Sequence, residues 1–235
     1  VSIDLRCGRW QDVLADVQCD ALIADPPYGA RTHAGHNSAT DQVVSVTGQK
    51  TRRGIAYTHW TTEDVREFVA FWSPRTRGWM ACMTSDDLIG VWREAYAEAG
   101  RLDFAPVGFL DYHPRLVGDG PASGLIYLMV ARPRTQEFAR WGCLPPWYGP
   151  FFPTHKDKDT AIGGKPMRGM RALVRDYSRP GDLVCDPTAG SATTLLAAAI
   201  EGRRAVGAEL DPATFALAQR RIAKGYTPDL FASAG

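Results

Sequence analysis

Short apolar runs alternate along this chain with segments whose apolar residues recur every three to four positions. Ile3-Asp4-Leu5 and Ala21-Leu22-Ile23-Ala24 have the length and character of strands. Glu63 to Trp72 has helical periodicity and predicts an amphipathic helix capped by Thr61 or Thr62. Trp79 to Thr84 reads as the next strand, and Asp87 to Ala99 as a helix ended by Gly100. Val107 to Tyr112 and Leu125 to Val130 are two more strands with no helix-length segment between them, so an antiparallel pair is expected. The last third predicts a helix over Lys165–Ser178, a strand over Asp182–Asp186 and a helix opening at Ser191-Ala192-Thr193-Thr194. A strand over Ala205–Ala208 and a helix over Pro212–Lys224 follow. The pattern implies one α/β domain spanning 1–235: a mostly parallel, doubly wound sheet with an antiparallel edge hairpin. No internal repeat is evident. Segment 29–60 lacks a clear period and is too long for an ordinary connection, so it is expected to be functional or partly disordered, while 132–164 is irregular and rich in proline and aromatics; both are candidate binding and recognition loops.

Composition changes this picture little. With 235 residues and 45% hydrophobic content the chain can bury a full core. It has no apolar stretch of membrane-spanning length, and Val1-Ser2-Ile3-Asp4 does not resemble a signal peptide. The five cysteines are scattered without a Cys-x-x-Cys pair, which suggests reduced, mostly buried thiols in a cytoplasmic protein. A net charge of +1 gives no overall signal for nucleic acid. His33 and His36 form a His-x-x-His pair, but no cysteine or acidic ligand accompanies it and no metal is expected.

Candidate chemistry sits at strand ends. Asp25-Pro26-Pro27-Tyr28 follows the run 21–24. A carboxylate and a proline carbonyl are acceptors for a planar amino group, and the tyrosine ring is a stacking face. A strand-terminated Tyr in a stiff turn is the plain alternative. Far downstream, Asp186-Pro187-Thr188-Ala189-Gly190-Ser191-Ala192-Thr193-Thr194 joins a strand to a helix through small residues. Such a turn lets a ligand approach the backbone, and the helix N-terminus offers unpaired N–H groups. Glu209, at the tip of the following strand, stands where nucleotide-binding folds grip ribose hydroxyls.

These motifs resemble those of the DNA amino-methyltransferases that use S-adenosylmethionine (AdoMet), and their order resembles the β class. The family's catalytic motif is Asp/Asn/Ser-Pro-Pro-Tyr, and its cofactor motif is Asp-Pro-Phe-x-Gly-Ser-Gly-Thr-Thr. Lys165-Pro166 leading a helix into the cofactor strand is a third match. The resemblance implies a Rossmann-like fold and methyl transfer to the exocyclic amine of a base flipped out of double-stranded DNA. Asp25, Pro26, Pro27 and Tyr28 would be catalytic. Asp186 would lie near the methionine ammonium, with Gly190 in the close-approach turn. Ser191, Thr193 and Thr194 would line the helix start. Glu209 would accept from the ribose, and Lys165 would lie near the methionine carboxylate. Thr188 stands where the family usually has Phe, and Ala192 where it usually has Gly. Asp at the head of the catalytic motif is the form usual in adenine enzymes, so N6 of adenine is the expected target. N4 of cytosine, an RNA amine and an inactive AdoMet- and DNA-binding protein are the alternatives. The family setting leaves room for a homodimer and a cognate restriction enzyme.

DNA contacts are expected from the two aperiodic segments. Arg140, Lys156, Lys158 and Arg168 lie in or beside the second, interleaved with Trp141, Trp147, Tyr148, Phe151 and Phe152. Arg52 and Arg53 lie in the first. Basic residues position phosphates and aromatic ones stack on bases. No Gly-x-Gly-x-x-Gly, P-loop or Pro-Cys dipeptide is present, which disfavours a dinucleotide oxidoreductase, an NTPase and a C5-cytosine methyltransferase.

Overall fold

A computed structural model describes residues 2–32, 58–115, 123–151 and 164–225. Among these described residues nine strands form one sheet: β1 (Ile3–Cys7), β2 (Ala21–Ala24), β3 (Met80–Thr84), β4 (Leu102–Asp103), β5 (Val107–Arg115), β6 (Ser123–Arg132), β7 (Trp147–Phe151), β8 (Leu183–Asp186) and β9 (Arg204–Glu209). Their order is β1-β9-β8-β2-β3-β6-β5-β7, with β4 on the end of β6. The half from β1 to β3 is parallel throughout, while β6 runs antiparallel to β3 and to β5.

Helices cover both faces. On one lie α1 (Trp10–Val13), α2 (Thr62–Trp72) and α3 (Ile89–Glu98), packing Phe68, Trp72, Trp92 and Tyr96 against Leu22, Met80 and Cys82. On the other lie α4 (Gln136–Ala139), α5 (Met167–Tyr177), α6 (Thr193–Ile200) and α7 (Pro212–Lys224), packing Met170, Leu173 and Leu195 against Ile23, Ala81 and Val184. Strands β2 and β3, covered on both faces, are buried at every position, which explains why they read as continuous apolar runs. Helix α2 begins as expected: Thr61 accepts from the Asp64 N–H, and the Asp64 carboxylate accepts from the Thr61 N–H.

Two expectations need correction. Segment 132–164 contains regular structure: the short helix α4 and strand β7, which pairs in parallel with β5. Strand β7 therefore takes the edge, and the β5–β6 hairpin lies inside it. Pro145, Pro146, Gly149 and Pro150 disguise this strand, yet proline is tolerated at an edge because half of the ladder donors are not needed there. Tyr148 on β7 donates to Asp176 Oδ2 at 2.7 Å, and Trp141 Nε1 donates to the Asp176 carbonyl at 2.7 Å. Asp176 thus fastens this segment to α5. The cysteines are free, with Cys19, Cys82 and Cys185 buried but Cys7 and Cys143 exposed. Among the described residues no helix is long and apolar enough to cross a membrane, and no cluster of metal-ligating side chains occurs.

Strand β2 meets β8 along a short seam, Ala21 beside Val184 and Leu22 beside Cys185. Asp20 strengthens it, its N–H donating to the Leu183 carbonyl at 2.9 Å and its carboxylate accepting from the Leu183 N–H at 2.8 Å. This seam places the ends of β2 and β8, and so both candidate motifs, side by side.

Candidate active site

The site is built on the carboxyl ends of β2, β8 and β9, the rim of an open parallel sheet on which ligands bind. Asp25 follows β2 directly. Its Oδ1 accepts from the Tyr28 hydroxyl at 2.8 Å, and its Oδ2 forms an ion pair with Lys165 Nζ, only 11% of whose side chain is exposed. The same ammonium lies 5.3 Å from the centroid of the Tyr28 ring. Both carboxylate oxygens and the ring are therefore engaged by protein groups.

The chain beyond Tyr28 is pinned from β3. The Gly29 N–H donates to Ser85 Oγ at 2.9 Å, and Ser85 Oγ donates to Asp87 Oδ1. A Cβ at Gly29 would fall 2.1 Å from Asp87 Oδ2, so a larger residue there would have to displace the Asp87 carboxylate. The Trp60 N–H donates to the Tyr28 carbonyl at 3.0 Å. The sequence marks neither Ser85 nor Asp87 as a site residue. Nothing in Ser85-Asp86-Asp87 distinguishes it from an ordinary turn until β3 lies beside β2.

Asp186 ends β8 and is 1% exposed. It accepts from the Thr188 N–H at 3.1 Å and from the Thr188 hydroxyl at 3.4 Å. Burial raises its pKa to about 7, opposed by hydrogen bonds from Thr194 and Thr188 and reinforced by the charge of Asp25. Thr188, in place of an aromatic, thus serves as a donor to this carboxylate. The turn continues through Gly190 (φ 52°), where a Cβ would meet nothing within 4 Å. Ala192 is left-handed (φ 64°), the conformation that glycine adopts without cost, and it is fully buried. Ser191, Thr193 and Thr194 are buried at the start of α6. Arg221 of α7 donates to the Ser191 carbonyl and, at 3.1 Å, to Thr193 Oγ1. Glu209, at the end of β9, accepts from the Asp211 N–H at 2.8 Å and from the Gly190 N–H, and burial raises its pKa.

This donor set fits a nucleoside carrying an amino acid. A buried carboxylate surrounded by hydroxyls, amides and a second carboxylate favours an ammonium partner. A half-buried carboxylate one strand away is placed for hydroxyls, and the turn between them leaves open space at Gly190.

Of the candidate DNA contacts, Arg140 and Arg168 are exposed. Trp141 and Tyr148 turn inward to Asp176, and Phe151 packs on Phe109 with centroids 5.6 Å apart. Trp147 is presented outward, 61% exposed. It pairs with Gly108, Gly108 with Tyr127, and Tyr127 with Thr84, so it lies level with the end of β3 on the rim that carries Asp25. Arg52, Arg53, Lys156, Lys158, Phe152, His33 and His36 lie outside the described residues.

Residues 143–220 match the family model described as DNA methylase. YubD of Escherichia coli (strain K12) is 37% identical over 59 residues, which are 25% of this chain and 26% of that protein. The type II methyltransferase M.MthZI of Methanothermobacter thermautotrophicus is 40% identical over 57 residues, 24% of this chain and 16% of that one. The matches thus span about a quarter or less of these curated relatives. Among solved structures, the M1.HpyAVI–SAM complex superposes with a TM-score of 0.66 at 18% identity, covering 94% of this chain and 98% of that one. TTHA0409 from Thermus thermophilus, complexed with S-adenosyl-L-methionine, gives 0.61 at 22% identity, covering 95% and 94%. The PvuII DNA methyltransferase, described as cytosine-N4-specific, gives 0.62 at 15% identity, covering 93% and 86%. The fold is the Rossmann-like fold of AdoMet-dependent methyltransferases. The match to the DNA methylase family model falls on the cofactor-type unit of this fold.

Proposed function

We propose that this protein transfers a methyl group from AdoMet to the exocyclic amine of a base in DNA. The observation that carries this reading is the convergence of Asp25 and Asp186 on adjacent strand ends, close enough for one charge to raise the other's pKa. AdoMet supplies an electrophilic methyl on a sulfonium. Asp186 holds its ammonium and Glu209 its ribose hydroxyls, with Thr188 and Thr194 fixing the Asp186 carboxylate. An aromatic exocyclic amine is a poor nucleophile because its lone pair is delocalised into the ring. Asp25 and the Pro26 carbonyl would accept hydrogen bonds from its two N–H groups and turn the lone pair toward the methyl, so that positioning supplies much of the rate, and the methylated amine would then lose one proton. Asp25 also offsets the positive charge that develops on nitrogen. The base must leave the duplex to reach this rim, and the Tyr28 ring returns about 1–3 kcal/mol of the stacking it loses.

Cytosine N4 and adenine N6 are chemically close. The PvuII enzyme, with the same fold, is described as cytosine-N4-specific, and this favours N4 of cytosine over the adenine expected from sequence. Asp at the head of the catalytic motif favours the second reading, N6 of adenine.

Incubation with unmethylated duplex DNA and AdoMet, followed by mass spectrometry of the nucleosides, tests both. N4-methylcytosine is the expected product. N6-methyladenine would keep the mechanism and change the base, and no product with cofactor bound would overturn the DNA substrate. Asp25→Ala should lose methyl transfer by at least about a thousandfold, on the scale of lost electrostatic stabilisation, while still binding cofactor. Loss of both together would sink its assigned role.

A further inference from the structure

The ion pair between Lys165 and Asp25 joins the carboxylate that the proposed reaction uses for the amine to the lysine that the family resemblance sets near the methionine carboxylate, and this inference rests on that reading. The ammonium touches one Asp25 oxygen, and the Tyr28 hydroxyl takes the other. The ammonium also lies over the Tyr28 ring, at 5.3 Å. A target amine needs the same two groups: an Asp25 carboxylate oxygen and the face of the Tyr28 ring. We propose that Lys165 is a positioning residue that stands in for the target amine until it is drawn to the carboxylate of the cofactor, which opens Asp25 and Tyr28 to the base.

The fold gives Lys165 access to both sides. It lies two residues before α5, whose length packs on α6, the helix that opens from the cofactor-type turn. Arg171 of α5 ties the two helices together through Glu201. Its partner Asp25 lies at the end of β2, next to β8 across the seam. A mostly buried ammonium holds one carboxylate strongly, and it moves only if another anion replaces that partner. Lys165 therefore makes cofactor binding and base engagement one linked equilibrium, reciprocal by necessity.

A double-mutant cycle on binding alone tests this. S-adenosylhomocysteine, which keeps the carboxylate but has no methyl to transfer, would be titrated calorimetrically into wild type, Asp25→Asn, Lys165→Met and the double variant. Wild type must release Lys165 from Asp25, so Asp25→Asn should bind several-fold more tightly and Lys165→Met about tenfold more weakly. In the Lys165→Met background, Asp25→Asn should change nothing. If Asp25→Asn tightens binding equally in both backgrounds, the effect is simple charge repulsion and the inference fails. It fails equally if Asp25→Asn leaves affinity unchanged or weakens it. Methylthioadenosine, which lacks the amino acid, should bind wild type and Asp25→Asn alike; a difference would also overturn the proposal. Asp25→Ser and Lys165→Gln repeat the cycle should either first variant not fold. If wild type binds neither ligand, the cofactor reading itself is wrong, an outcome distinct from an additive cycle.

Discussion

Asp186 is the residue whose environment most directly forecasts behaviour in solution. Its pKa of about 7 means that the cofactor-free protein holds a proton there through the mildly acidic range. An ammonium ligand needs the carboxylate, so affinity should fall by up to about tenfold per pH unit below 7. Above about 8 the ligand's own α-amino group begins to lose its proton. Calorimetry across pH 5.5–9 should therefore show an affinity maximum between about 7 and 8. Asp186→Asn should flatten the acidic limb. The stability effect has the opposite sense. The folded state binds this proton more tightly than the unfolded chain, so the contribution is complete below the ordinary carboxylate pKa and is lost as pH rises to about 7. At this scale the sequence places acidic residues at strand ends, and the fold keeps them there. Asp25, Tyr28, Asp186 and Glu209 were all picked out by their position after apolar runs. It could not show that Lys165 sits on Asp25, because 140 residues separate them and only the folded sheet brings them together. Nor could it show Thr188 as a donor, since a turn threonine has no periodic signature.

At the scale of elements, one device occurs twice. Helix α3 ends with Gly100 left-handed (φ 69°), and the N–H groups of Gly100 and Arg101 bond back to Ala97 and Tyr96. Helix α6 ends in the same way at Gly202 (φ 78°), with Gly202 and Arg203 bonding to Ala199 and Ala198. Each arginine then folds onto the end of the neighbouring helix. Arg101 donates to Ser73 Oγ at 2.9 Å and to the carbonyls of Ser73 and Gly78, both at 2.7 Å, and to that of Thr76. Arg203 donates to Ser178 Oγ at 3.0 Å, to the Ser178 carbonyl at 2.9 Å and to the Glu201 carbonyl. The units α2-β3-α3 and α5-β8-α6 are thus locked by the same guanidinium clamp, although no sequence repeat announces it. Arg101→Met keeps most of the volume but strands several helix-end carbonyls, and should cost about 3 kcal/mol in urea unfolding. Its effect on cofactor affinity should be slight, since the clamp lies at the amino end of β3, away from the rim. A cavity of about 420 Å³ beside it, lined by Ala70, Ser73, Arg101 and Arg134, holds none of the site residues. The sequence did show where α3 stops, at Gly100, because glycine after a helix is a strong signal, but it did not mark Gly202 in the same way. Strand β7 was hidden for the converse reason, its proline and glycine, and the two prolines just before it, matching a loop until an edge position makes them tolerable.

Across the whole molecule, stability and chemistry occupy opposite ends of the strands. The clamps sit at one end, while Asp25, Asp186, Glu209 and Trp147 share the other. Trp147 lies four strands from β2 in the sheet order, roughly 19 Å at ordinary strand spacing. That is on the scale of a DNA duplex, so under the proposed function a flipped base would sit at one end of the rim and neighbouring DNA at the other. Trp147→Ala should weaken duplex binding by roughly 1–3 kcal/mol in a fluorescence titration, as the loss of one stacking platform would. Cofactor affinity and thermal stability should hold, because the ring is already in solvent. An equal fall in stability would assign Trp147 to packing.

The seam between β2 and β8 has a consequence for how such a protein can be assembled in evolution. The carboxylate proposed to orient the base and the one proposed to hold the cofactor come from opposite thirds of the chain, and lateral strand pairing alone makes them neighbours. Their covalent order is immaterial to the chemistry. A gene rearranged so that β8, α6 and β9 were translated before β2 would specify the same rim, provided that its new connections reached.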